Sequence, residues 1–271
     1  MALSSRPFGA ALAALALTTA LGACGSATSG SPTGSSPSGT PAPDQVSVTV
    51  GDEVDLTDAL AASAAAMKAK KTYSFTGEAA GAAMSGQMRV DGDGTAMTIQ
   101  TTVQGAKVDM LLVDGVMYIG GFPHLPPGKT FVKIDPEGED PMSKMMGPML
   151  SQMAEAADPT ASLAGITALK AEVIEVKDGT TTYEVSVSVD QQLAIAKERL
   201  AVMGMGDTPL PTPAMKPLIV RQTIGPDDLP TRTELVGGAD LTLNLTYSGW
   251  GEPVDVVAPP ADKVTTFADV M

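Results

Sequence analysis

Few side chains in this sequence could do more than pack. Cys24 is the only cysteine and His124 the only histidine among 271 residues. A thiol is the strongest side-chain nucleophile available for building a thioether, and the small residues Gly22 and Ala23 before Cys24 leave the backbone open to a peptidase. The segment leading to it carries one positive charge, Arg6, and then runs uncharged from Phe8 to Leu21. About 7–15 apolar residues followed by small ones describe the core of an export signal, too short for a membrane span. A single histidine cannot build a histidine-based metal site, and no Gly-x-Ser-x-Gly elbow occurs downstream of the leader. The run Asp91-Gly92-Asp93-Gly94 places two carboxylates as a calcium loop would. It lacks the further oxygens and the terminal glutamate of an EF-hand, so it reads as a hairpin turn. No catalytic residue, metal ligand or cofactor is therefore assigned, and the chain is read as a non-enzyme.

Leu21-Gly22-Ala23-Cys24 resembles the lipobox of bacterial lipoproteins, in which the cysteine sulfur takes a diacylglyceryl group and the preceding peptide bond is cut. That resemblance implies a leader over residues 1–23, a mature chain beginning at Cys24, and a stable hold on the outer face of a cell membrane. One acyl chain holds a protein only marginally, whereas two suffice. Residues 25–45 are almost wholly Gly, Ser, Thr, Pro and Ala, with Asp44 the only charge. Such a tether reaches about 25 Å by random-coil scaling. Residues 46–271 remain for one domain, with no internal linker favouring two. Loss of the leader removes Arg6 alone and leaves 16 Lys and Arg against 31 Asp and Glu, a formal charge of −15. That balance argues against nucleic acid and against adsorption to anionic headgroups. With Cys24 acylated no disulfide can form, and the apolar core alone must hold the domain.

Methionine is the other unusual feature, 16 residues against 5 Phe and 1 Trp. Between Pro141 and Ala157, Met142, Met145, Met146, Met149, Leu150 and Met153 recur at 0, 3, 4, 7, 8 and 11, one helical stripe that Gly147-Pro148 breaks or kinks. An unbranched, polarizable side chain can follow a flexible acyl chain where Leu and Phe favour one fixed packing. Ten buried methylenes at about 0.8 kcal/mol each supply roughly 8 kcal/mol before the entropic costs of capture. The alternative is that these methionines simply fill a core poor in aromatic residues. A remaining cavity would separate the two.

The elements that must position these residues follow from period and punctuation. Asp55 opens an Ala-rich helix at 56–70, with Leu56, Leu60, Ala64 and Met67 on one side and Lys68 and Lys70 at its C-terminal end. The period then changes to 2. Tyr73–Phe75, Met84–Val90, Met97–Val103, Val108–Leu112 and Val116–Ile119 read as antiparallel strands joined at Gly-bearing breaks. Met110 and Leu112 sit on the apolar face of theirs, and join the helical stripe as candidate cavity residues. A loop with His124 leads to a strand at 130–134 and then to the stripe. Strands follow at 168–177 and 181–189, a helix at 191–203, and strands at 218–224, 231–236 and 240–247. About ten strands in two antiparallel groups, with three helical insertions, make an α+β protein.

Three regions carry a likeness to a known family: the lipobox at Cys24, the tip Ile224-Gly225-Pro226-Asp227-Asp228-Leu229-Pro230-Thr231-Arg232, and the tail from Tyr247 through Trp250 to Val256 and Ala258-Pro259-Pro260-Ala261-Asp262. On these the chain resembles the LppX/LprG group of actinobacterial lipoproteins, similar in fold to the carrier LolA and the receptor LolB. One extended, strongly curved antiparallel sheet, a half-barrel with helices on its concave face, covers these apolar stripes economically, and the resemblance implies the same fold with an apolar cavity between sheet and helices. It implies an acylated lipid, glycolipid or lipoprotein as ligand, an envelope transporter as a candidate partner, and a monomer. The strand 218–222 lacks the aromatic residue that family members often carry there. A second expectation of a different class stands beside it: an envelope-anchored interaction or sensing module with a filled core and an acidic surface.

Overall fold

The computed structural model describes residues 48–91, 94–103, 105–122, 124–140, 143, 144, 147, 170–202, 216–237 and 241–270. Cys24, the tether and the residues Met142, Met145, Met146, Met149, Leu150 and Met153 lie outside them.

Helix α1, Leu56–Lys70, starts where the sequence punctuates it. The Asp55 carboxylate accepts from Thr57 N at 2.8 Å, which satisfies a first-turn N–H that the helix itself cannot. Lys71 closes the other end in the left-handed conformation, φ 67°, its N–H donating to Met67 O. Leu56, Leu60 and Ala64 are buried, at the 3.6-residue spacing that lays one stripe on a sheet. Helix α2, Val189–Val202, begins on a reciprocal cap, with Ser188 N donating to Gln191 Oε1 and Gln191 N to Ser188 Oγ.

The strands form one mixed sheet, thirteen strands among the described residues. Two antiparallel meanders make up most of it. The first is β2 (Thr72–Ala79), β3 (Ala82–Asp91), β4 (Gly94–Val103), β5 (Ala106–Val113), β6 (Val116–Gly120) and β7 (Phe131–Ile134). The second is β8 (Lys170–Lys177), β9 (Thr180–Val187), β10 (Leu218–Ile224), β11 (Pro230–Gly237) and β12 (Leu241–Ser248). Tight turns set their hairpins: Ala80-Gly81, Asp114-Gly115 and Asp178-Gly179 have positive φ at both positions, the geometry that matches strand twist. Pairing of β12 with β2, Tyr247 opposite Phe75, fuses the two meanders. Two short strands finish the edges, β1 (Glu53–Asp55) on β8 and β13 (Val264–Thr266) on β7, the latter pair parallel.

This architecture corrects the expectation of an LppX/LprG-like or LolA/LolB-like half-barrel. The α+β class stands, but the sheet is neither closed nor strongly curved, and it is not wholly antiparallel. Register supplies a physical reason. Sharp curvature is introduced by bulges, and from β2 to β7 the pairing runs unbroken. Shifts occur only at Val173/Glu175 and Thr223/Ile224, in the other meander.

Each face is covered differently. On the apolar face, Leu56, Leu60 and Ala64 of α1 belong to one core with Phe75, Val185, Val220, Leu235, Leu243 and Leu245. The polar face is crossed by the C-terminal segment. Trp250 anchors the start of that crossing: its Nε1 donates to Pro230 O at 3.2 Å, and its ring lies 4.6 Å from that of Tyr73. Gly251 N then bonds Thr72 O, and Thr72 Oγ1 donates to Glu252 O at 2.7 Å. Val256, 1% exposed, seats against Ala96 and Val113, and the chain ends its crossing at β13.

Candidate functional site

Strand alternation and register together decide which side chains meet. Met88 stands opposite Met97, Met97 opposite Leu112, and Leu112 opposite Met117. One row along, Ile99 stands opposite Met110 and Met110 opposite Ile119. With Met84, two residues before Gly86 on β3, five methionines share the apolar face of four consecutive strands. Met84, Met88 and Met117 are buried, whereas Met97 and Met110 are only partly so. Val132 and Ile134 on β7 continue the wall.

Of the residues chosen from sequence, the structure thus places Met110 and Leu112 on this wall, and the six of the helical stripe fall outside the described residues. Met84, Met88, Met97 and Met117 were missed. Their signal was present as period 2 within each strand, but only register brings them together. His124 lies exposed in the loop between β6 and β7.

The wall ends in a buried polar corner. Tyr73 OH points at Met88 Sδ, Tyr247 OH is 3.1 Å from Thr233 Oγ1, and Thr233 Oγ1 donates to Gln222 Oε1 at 2.7 Å. Gln222 Nε2 in turn donates to Arg232 O. Burial pushes the Tyr73 hydroxyl well above its ordinary range and raises that of Tyr247. A Tyr247 charge would raise Tyr73 further, whereas the hydrogen bond between Tyr247 and Thr233 partly offsets the rise at Tyr247. These groups resist ionisation and form no nucleophile–base pair. Their arrangement closes the core beneath Trp250.

A cavity of about 520 Å³ lies on the opposite, polar face. Its floor is a grid of alternate side chains from β2 to β5, among them Ser74, Ser85, Gln87, Thr98 and Gln100. Asp109, Leu111, Phe131 and Asp255 of the C-terminal crossing also line it. Gly120 makes room for the aromatic wall, since a Cβ there would come within 2.9 Å of the Phe131 ring. The Thr98 hydroxyl is held by Gln87 N at 3.2 Å. None of the strand-facing polar residues was singled out from sequence, because each reads as an ordinary outward position.

Among the described residues no helix is long and apolar enough to cross a membrane, and no group of three His, Cys, Asp or Glu could hold a metal ion. No protein-family model matches this chain, and no curated protein matches it. The likeness to the LppX/LprG lipoproteins drawn from three short regions is therefore set aside along with the half-barrel that it implied.

Proposed function

We propose that this is an envelope protein held to the outer face of a cell membrane by lipid on Cys24, and that its methionine wall holds the acyl chain of a lipid, glycolipid or acylated protein for local carriage or presentation. The observation that supports it is the wall itself, five methionines on one face of β3, β4, β5 and β6, of which Met97 and Met110 keep exposed surface. Unbranched thioether side chains adapt to a flexible chain, and capture by burial needs no covalent step. A tether of about 25 Å confines any transfer to the reach of the anchor. Native mass spectrometry of the Cys24→Ala chain, released soluble from cells that export it, tests the reading. It predicts a fraction carrying the mass of an acylated lipid, displaced by a fluorescent fatty acid. Bare protein with no displacement would end it.

One observation favours a second reading. Met84, Met88 and Met117 are 7%, 5% and 3% exposed, as residues of a filled core are. On that reading the protein is an anchored interaction module working through its acidic surface.

A further inference from the structure

The groove on the polar face has a chemistry unlike that of the methionine wall, although Phe75, Ile99 and Met110, whose alternation places them on the wall's face, also border it. Its floor presents hydroxyls and primary amides, groups that both donate and accept, beside the apolar Leu111, and its two carboxylates only accept. No Lys, Arg or His lines it, so nothing there would neutralise a phosphate, a sulfate or a nucleic acid. The side chains of Gln87, Gln100, Asp109 and Asp255 make no hydrogen bond to other described residues, which leaves their capacity for a ligand. The rigid ladder from β2 to β5 holds the floor groups at fixed spacing, and Phe131 adds one aromatic surface beside them. From this arrangement we infer a binding site for a neutral saccharide. Its hydroxyls would be read by Ser85, Gln87 and Gln100 and by Asp109 and Asp255, and the C–H face of a sugar ring would lie against Phe131.

The complement is specific in kind. A sugar hydroxyl satisfies a donor and an acceptor at once, and a site built of such groups rejects analogues that lack them. A fatty acid would leave the floor unpaired, and an anion would face Asp109 and Asp255. The inference stands independently of acyl binding on the other face.

The test uses isotope-labelled full-length Cys24→Ala protein titrated separately with maltotriose, cellotriose and mannotriose, with inorganic phosphate as the charged comparison. At least one neutral trisaccharide should shift the backbone resonances of Ser85–Gln87 and Thr98–Gln100 saturably, with a Kd of about 1 mM or tighter. Gln100→Ala, a change at an exposed position, and Phe131→Leu should each weaken that binding about tenfold or more without lowering the unfolding midpoint of Gln100→Ala. Absence of saturable shifts with all three sugars would overturn the inference. So would phosphate binding as tightly, or affinity unchanged in both variants.

Discussion

The ring of Phe75 occupies the space that a side chain at Gly86 would need: a Cβ built there would lie 2.4 Å from Phe75 Cζ and 2.2 Å from Thr98 O. The two residues are register partners, so a missing side chain on β3 accommodates an aromatic one from β2, between Met84 and Met88 on the same face. Phe75 is 5% exposed and cannot swing out without opening the core. Gly86→Ala should therefore destabilise by at least about 1–3 kcal/mol, the cost of overpacking against an immobile ring and backbone. Urea unfolding would show a lower midpoint with an unchanged slope.

Thr233, 1% exposed, is the hinge of the polar corner because it serves both Gln222 and Tyr247. Thr233→Val keeps the shape and strands both partners in the core. A loss of about 1–3 kcal/mol is expected, since a buried polar group left unpaired pays its full desolvation cost. Gln222→Leu added to that variant should recover part of the loss, which a double-mutant cycle would measure.

Alkaline pH should unfold the domain from this corner. Tyr73 and Tyr247 ionise near the ordinary 10.0 in the unfolded chain and above it when buried, Tyr73 well above. The native state then holds more protons than the unfolded one. The stability this contributes is fully present below pH 10.0 and declines as the pH rises beyond it. Absorbance at 295 nm should show these two phenols ionising only in step with loss of far-UV circular dichroism. Trp250, the only tryptophan, reports on the same corner by fluorescence.

Acid acts instead at the β13 edge of the sheet. Asp269 accepts from Thr266 Oγ1 and Thr266 N and from Thr265 Oγ1, and these bonds, the Thr266 side chain foremost, hold its carboxyl below the ordinary 3.8. Its stabilising effect is present above 3.8 and is lost as the pH falls through the lowered native value. Amide exchange of Val264–Thr266 should quicken over that range in the wild type. In Asp269→Asn it should be fast already at neutral pH.

Local features were legible in the sequence. Asp55 and the lysines at 68 and 70 bracket α1 because helix ends need those groups, and Asp114-Gly115 announces a hairpin because few other pairs take positive φ twice. The fusion of two meanders was not, because Tyr247 and Phe75 pair across most of the chain and no local pattern encodes that meeting. The same holds for β1, three residues long, and for the parallel pairing of Val264 with Phe131. Strong curvature was inferred from the need to cover apolar stripes economically. An open sheet with α1 on one face and the C-terminal crossing on the other covers them as well. The groove escaped notice for a related reason: Gln87 and Gln100 become a floor only once Asp255 and Phe131 are set around them.

The central claim is that the methionine wall takes an acyl chain, and fluorescent fatty-acid binding to wall variants tests it most directly. Met97→Asp and Met110→Asp, at the two partly exposed positions, should each weaken binding at least about tenfold, because a carboxylate in contact with methylenes cannot be desolvated cheaply. Circular dichroism should show the sheet retained in both. Undiminished binding by the folded variants, or no saturable binding by the wild type, would contradict the account.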